Sequence, residues 1–141
     1  MVDRLSPERR SRLMSRVRGK DTTPELVVRR LAHGLGYRFR LHKKTLPGKP
    51  DLVFPRLRVA IFVHGCFWHR HRGCPKATMP KSRVEYWAEK FERNVERDAR
   101  VVRALEEAGW TVHTIWECET KDRDALRHRL SDLLSAATGR G

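Results

Sequence analysis

The chain has 141 residues, with 31 Lys plus Arg against 17 Asp plus Glu, a formal net charge of +14 and 39% hydrophobic residues. That length and apolar content suit one domain with its own core and exclude a mostly disordered chain. No stretch approaches the roughly 20 apolar residues of a membrane span, and MVDRLSPERR at the start lacks the apolar core of a secretory signal, so a cytoplasmic protein without a membrane partner is expected. Three cysteines make a poor disulfide framework, which leaves metal ligation or inert burial.

The charge is unevenly placed. Residues 1–84 carry 21 basic and 5 acidic side chains, whereas residues 85–141 carry 10 and 12. Between Asp51 and Glu85 there is no carboxylate, while Arg56, Arg58, Arg70, Arg72, Lys76, Lys81 and Arg83 all lie there. Such a field attracts a phosphate backbone and releases counterions on binding. A solubilising surface or an acidic membrane face would use the same charges, but the clustering without a long basic amphipathic helix favours nucleic acid.

In chain order, residues 1–20 read as a basic arm that would not fold alone, with Met14 as either an apolar wedge for a groove or a contact with the main domain. A single domain is expected over 21–136 and a frayed tail over 137–141. Thr22-x-x-Glu25 reads as a capping box opening a helix with Pro24 in its first turn, stopped by Gly34 or Gly36. Tyr37, Phe39 and Leu41 alternate with Arg38, Arg40 and His42, the period of a half-exposed strand. LPGKP (46–50) is a turn, and the apolar runs on either side of Pro55-Arg56 read as a hairpin ending at His64-Gly65. From Val84 to Ala108, apolar residues recur at three and four, the pattern of a long amphipathic helix. Residues 110–116 are β-branched and aromatic enough for a strand, and a last helix after Asp122 buries Leu126, Leu130, Leu133 and Leu134.

Strand 57–63, helix and strand 111–116 form a βαβ unit, so both strands end at the same sheet edge. There Cys66, His71 and Cys74 follow the first strand and Cys118 the second, three thiolates and an imidazole of the kind a structural Zn2+ takes. The bland alternative is that buried cysteines act as small hydrophobes. Phe67 and Trp68 lie between two of these ligands, on a loop that would turn both rings outward to wedge between base steps. Trp87, on the apolar face of the long helix, reads equally as core or wedge.

Asp51 stands at the start of the hairpin, and antiparallel pairing brings it near the end of the second strand. One carboxylate, a backbone carbonyl and phosphate oxygens make a plausible Mg2+ site that would polarise a phosphodiester. His64 and His69 are placed to take a proton from the attacking water or give one to the leaving oxygen. The capping box explains Glu25, although from that helix it could reach the water shell of the ion.

HGCFWH (64–69), preceded by PGKPDLVF (47–54) and followed by SRVEYWAEKFERNVERD (82–98), GW (109–110) and WEC (116–118), resembles the very-short-patch repair (Vsr) endonucleases over about residues 10–120. The resemblance implies an α/β fold with a restriction-endonuclease-like core, a mixed central sheet flanked by helices, a structural zinc and a basic N-terminal arm. It further implies Mg2+-dependent nicking of one strand of duplex DNA, 5′ to the T of a T:G pair left by deamination of 5-methylcytosine, by a bacterial, nucleoid-associated monomer. Mismatch-repair proteins are further candidate partners. Carried over by position, Asp51 matches the metal-binding aspartate, with the Val63 carbonyl as a second ligand. His69 matches the catalytic histidine, and His64 and Glu25 its supports. Cys66, His71, Cys74 and Cys118 match the zinc ligands, and Phe67, Trp68, Trp87 and Met14 the intercalating residues. Val63 stands where relatives carry Thr, and Gly73 lengthens the spacing between His71 and Cys74. The rival readings are a restriction-like nuclease of paired DNA and a zinc-stabilised DNA-binding module without catalysis.

Overall fold

The computed structural model describes residues 22–138, so the arm expected over 1–20, with Met14, lies outside the described residues. The elements are α1 (Thr23–Gly34), β1 (Arg40–Leu41), β2 (Leu52–Phe54), β3 (Val59–His64), α2 (Val84–Glu107), β4 (Thr111–Trp116), a short 3-10 helix (Glu117–Lys121) and α3 (Arg123–Thr138). The four strands form one mixed sheet in the order β1-β2-β3-β4. The first two pairings are antiparallel and β3 with β4 is parallel, as the hairpin and the βαβ unit require.

Residues alternate between the two faces of the sheet. Leu52, Phe54, Val59, Ile61 and Ile115 meet Val27, Val28 and Ala32 of α1 and Leu126, Leu130 and Leu134 of α3 on one face. Val53, Ala60 and Phe62 meet Leu105 and Trp110 on the other. Helices on both faces explain why β2 is buried at every position. Among the described residues, no helix is long and apolar enough to cross a membrane.

Three local expectations change. The strand over 37–42 shrinks to Arg40–Leu41, because Gly36 (φ +91) and His42 (φ 45) leave the extended region on either side. α3 runs through Thr138, with Ala137 only 9% exposed, so the helix outlasts the point at which the tail was expected to fray. The apolar stripe of α2 is not all core: only Phe91 and Leu105 are buried, and Val84 and Val95 are 47% and 45% exposed. The reason is length. At about 1.5 Å per residue the 24-residue helix is roughly twice as long as the six-residue strands it covers, so its N-terminal half overhangs the edge where those strands end.

Candidate active site

The overhang and the strand ends frame a cleft of about 730 Å³ lined by Glu25, His42, Asp51, Val63, His64, His69 and Asp98, with Lys44, Lys49, Lys90 and Arg97 supplying positive charge. Asp51 is set by two constraints. Its turn is pinned because Gly48, at φ +71, lies where a Cβ would run into the side chain of Val101 on α2. Across the hairpin, the Val63 N–H donates to Asp51 Oδ2 at 2.7 Å. The placement expected from antiparallel pairing is therefore present, down to the adjacent Val63 peptide.

Glu25 is 1% exposed. Of the expected capping box only the Thr22 half forms, Thr22 Oγ1 accepting from the Glu25 N–H at 3.4 Å, and the Glu25 carboxylate turns inward instead. It pairs with Arg29 one turn along the helix and lies 2.8 Å from His42 Nε2. Burial first, and then the neighbouring Glu25 carboxylate, push the Asp51 carboxyl up to about 7, against the lowering effect of the Val63 N–H. Glu25, His42 and Asp51 each offer a ligand atom within 4.8 Å of the others. Two neighbouring carboxylates, Glu25 buried and Asp51 half-buried, and a His42 Nε2 with no hydrogen-bond partner, form a donor set that a divalent cation would satisfy.

His64 and His69 are stacked, with ring centroids 3.7 Å apart and planes 7° from parallel. His69 Nδ1 meets Asp98 Oδ2 at 2.7 Å, so the acid on α2 holds the ring by one nitrogen and leaves the other for the cleft. Burial, and secondarily His69, lower the pKa of His64 to about 4, so at neutral pH it is an uncharged imidazole.

The Cys/His cluster lies beyond the strand ends. In the β3–β4 register His64 is opposite Trp116, and two further residues along each chain stand Cys66 and Cys118. The Cys66 N–H also donates to Glu117 Oε1 at 3.3 Å. Gly73 adopts φ +77, a turn that brings Cys74 back, and His71 joins the cluster. His71 Nδ1 lies 3.6 Å from Cys66 Sγ and 3.5 Å from Cys118 Sγ. A tetrahedral ion with metal–sulfur and metal–nitrogen bonds of about 2.3 and 2.05 Å has S···N edges of about 3.5 Å, so the set fits such an ion. Burial and the neighbouring thiols push the Cys66 thiol up to about 12, a cost that a bound cation would remove.

The aromatic loop departs from expectation. Phe67, Trp68, Trp87 and Phe91 pack on one another with centroids 5.0–6.3 Å apart, and Trp68 is only 7% exposed. The loop does not turn both rings outward: the edge-to-face pair leaves Trp68 buried and Phe67 half-buried. The exposed ring is Tyr86, at 43%. Arg70 also leaves the charge field. It donates to the carbonyls of Phe67, Ala77 and Thr78 at 2.9–3.2 Å and lies 4.0 Å above the Phe91 ring, tying the loop to α2.

His42 and Asp98 were not singled out in the sequence. Asp98 had a signal: it lies seven residues from both Phe91 and Leu105, the two buried residues of α2, so it is a carboxylate on the inward stripe. His42 had none, because the strand alternation places it among exposed residues and only the left-handed backbone turns it inward.

The family described as DNA mismatch endonuclease Vsr matches residues 2–76, which contain every cleft and cluster residue named above up to Cys74. A Xanthomonas oryzae protein named Type II nicking enzyme V.XorIIP is 56% identical over 134 residues, covering 95% of this chain and 98% of its own. The DNA mismatch endonuclease Vsr of Escherichia coli is 41% identical over 126 residues, covering 89% and 80%. Type II nicking enzyme V.NmeAIP of Neisseria meningitidis is 39% identical over 134 residues, covering 95% of each chain.

Proposed function

Because this chain belongs to the Vsr family of DNA endonucleases, we propose that it nicks one strand of duplex DNA 5′ to the T of a T:G mismatch, by Mg2+-dependent hydrolysis of the phosphodiester. The observation that carries this reading is the half-buried Asp51 carboxylate, set beside buried Glu25 in the same cleft as a histidine pair backed by Asp98. Asp51, with the Val63 carbonyl, would hold Mg2+, which when bound polarises the scissile phosphate and offsets the charge that develops there.

The remaining work belongs to side chains. His69, oriented through Nδ1 by Asp98, takes the proton of the attacking water as its oxygen bonds to phosphorus and the bond to the leaving sugar oxygen breaks, that oxygen taking a proton from water in the open cleft. Uncharged His64 packs flat against His69 and fixes its plane. Lys44, Lys49, Lys90 and Arg97 line the same cleft and would hold the flanking phosphates. Zn2+ in the Cys66, His71, Cys74 and Cys118 set would fasten the loop carrying Phe67 and Trp68 to the sheet. Those rings, with Trp87, would open from their mutual packing to intercalate beside the mismatch, exchanging ring contacts for base contacts. The mixed sheet, with its acid on the hairpin, supports a restriction-endonuclease-like core.

A zinc-stabilised binding module would have no use for a buried carboxylate pair and an Asp98–His69 dyad. A nickase of paired DNA would use both, so the mismatch is what the experiment must vary. A duplex labelled on each strand, with T:G or T:A at one position and with or without Mg2+, should be cut in the T strand of the T:G duplex only. Equal cutting of the paired control would favour the restriction-like reading, and no cutting at all the binding module.

A further inference from the structure

His42 takes no part in the proposed hydrolysis, yet the fold goes to some trouble to place it. Its φ of 45 is a left-handed value that costs a non-glycine residue stability. The left-handed turn ends β1 and takes His42 out of the exposed strand pattern and into the cleft. Its backbone N–H donates to the Asp51 carbonyl at 3.2 Å, so residues 42 and 51 are tied at the main chain as well. The imidazole Nε2 is shielded from solvent and has no hydrogen-bond partner: the Glu25 oxygen is 2.8 Å away but outside hydrogen-bond geometry, and Asp51 Oδ1 is 3.9 Å away. A buried nitrogen whose nearest acceptor is badly aligned is costly, and a cation among these three groups would remove that cost.

The spacings indicate which. An octahedral ion with bonds of about 2.1 Å separates adjacent ligands by about 3 Å and opposite ligands by about 4.2 Å. The contacts of Nε2 with Glu25 and Asp51, at 2.8 and 3.9 Å, lie near those two lengths. We infer that His42 is a direct side-chain ligand, through Nε2, of the divalent cation held at Asp51, making the centre a mixed nitrogen and oxygen site with Glu25 rather than one of oxygens alone. This rests on the proposed reading of Asp51 as the cation site and extends it. A nitrogen ligand favours transition-metal ions over Mg2+, so the centre should bind Mn2+ before DNA arrives.

The test uses the full-length, zinc-loaded protein without DNA, with Mn2+ as the probe. Free Mn2+ is counted by room-temperature EPR, and 14N coupling to bound Mn2+ is read by pulsed EPR, for wild type, His42→Gln and Asp51→Asn. The expected result is bound Mn2+ with 14N coupling in wild type, loss of the coupling and at least about ten-fold weaker binding in His42→Gln, and loss of binding in Asp51→Asn. Bound Mn2+ without nitrogen coupling in wild type, or coupling that survives in His42→Gln, overturns the role of His42 and leaves Asp51 intact. Binding undiminished in Asp51→Asn, or no binding in wild type, overturns the cation site itself and His42 with it.

Discussion

Replacing Asp51 by Asn should destroy nicking and yet make the magnesium-free protein more stable. The Asp51 carboxyl is raised from 3.8 to about 7 in the folded chain. Between those values the folded state holds a proton that the unfolded state has released, so this group's contribution to stability falls as pH rises from about 4 to about 7. Three units correspond to about 4 kcal/mol at pH 8. The Asp51 side chain keeps 20% of its exposure, so water screens part of that, and about 2–4 kcal/mol is the working range. Asn is neutral throughout, and its amide can still accept from the Val63 N–H while donating to Glu25. Calorimetric unfolding of the zinc-loaded, magnesium-free proteins should show Asp51→Asn more stable at pH 8 by roughly 8–15 °C in Tm, at about 4 °C per kcal/mol. At pH 5, where the wild-type carboxyl is protonated, the two should nearly coincide. His64, lowered from 6.5 to about 4, contributes stability that is lost as pH falls through that window. It does so in both proteins, and the comparison cancels it. A variant no more stable than wild type at pH 8, or equally advantaged at pH 5, would refute the argument that a desolvated carboxylate pair is kept for cation binding.

Asp98→Asn should leave DNA affinity within about two-fold and lower the single-turnover cleavage rate by roughly 10²-fold or more, since the His69 ring loses its orienting carboxylate; an unchanged rate would remove Asp98 from the machinery. Cys66→Ala should abolish stoichiometric zinc by metal analysis and weaken DNA binding together with cleavage, because the loop bearing Phe67 and Trp68 loses its anchor. Arg70→Ala should lower stability by about 1–3 kcal/mol, through three orphaned carbonyls, while the slope of log affinity against log salt stays the same. A shallower slope would return Arg70 to the phosphate-contacting set.

Much of the site could be read in the sequence because it depends on strand pairing. The hairpin about Pro55-Arg56 brings Asp51 to the Val63 peptide, and the parallel register that sets His64 opposite Trp116 carries Cys66 and Cys118 to the same place two residues later. What could not be read depends on departures from regular geometry or on unliganded packing. His42 enters the cleft through one left-handed residue inside an apparent strand. The Glu25 carboxylate is free to face inward because capping needs only its N–H. Phe67 and Trp68, read as outward wedges from their place in a basic loop, instead pack on each other and on Trp87. The helix α2 was legible as a helix but not as an overhang, since periodicity reports which face is apolar and says nothing of how far the sheet beneath it extends.

The most direct measurement replaces a non-bridging oxygen of the scissile phosphate by sulfur, one diastereomer at a time, in a T:G duplex. If Asp51 holds a cation against that phosphate, one diastereomer should be cut far more slowly with Mg2+, which binds sulfur poorly, and should recover with Mn2+. Asp51→Asn should cut neither substrate with either ion. Sulfur substitution without effect in both diastereomers, together with nicking that survives the loss of Asp51, would contradict the account.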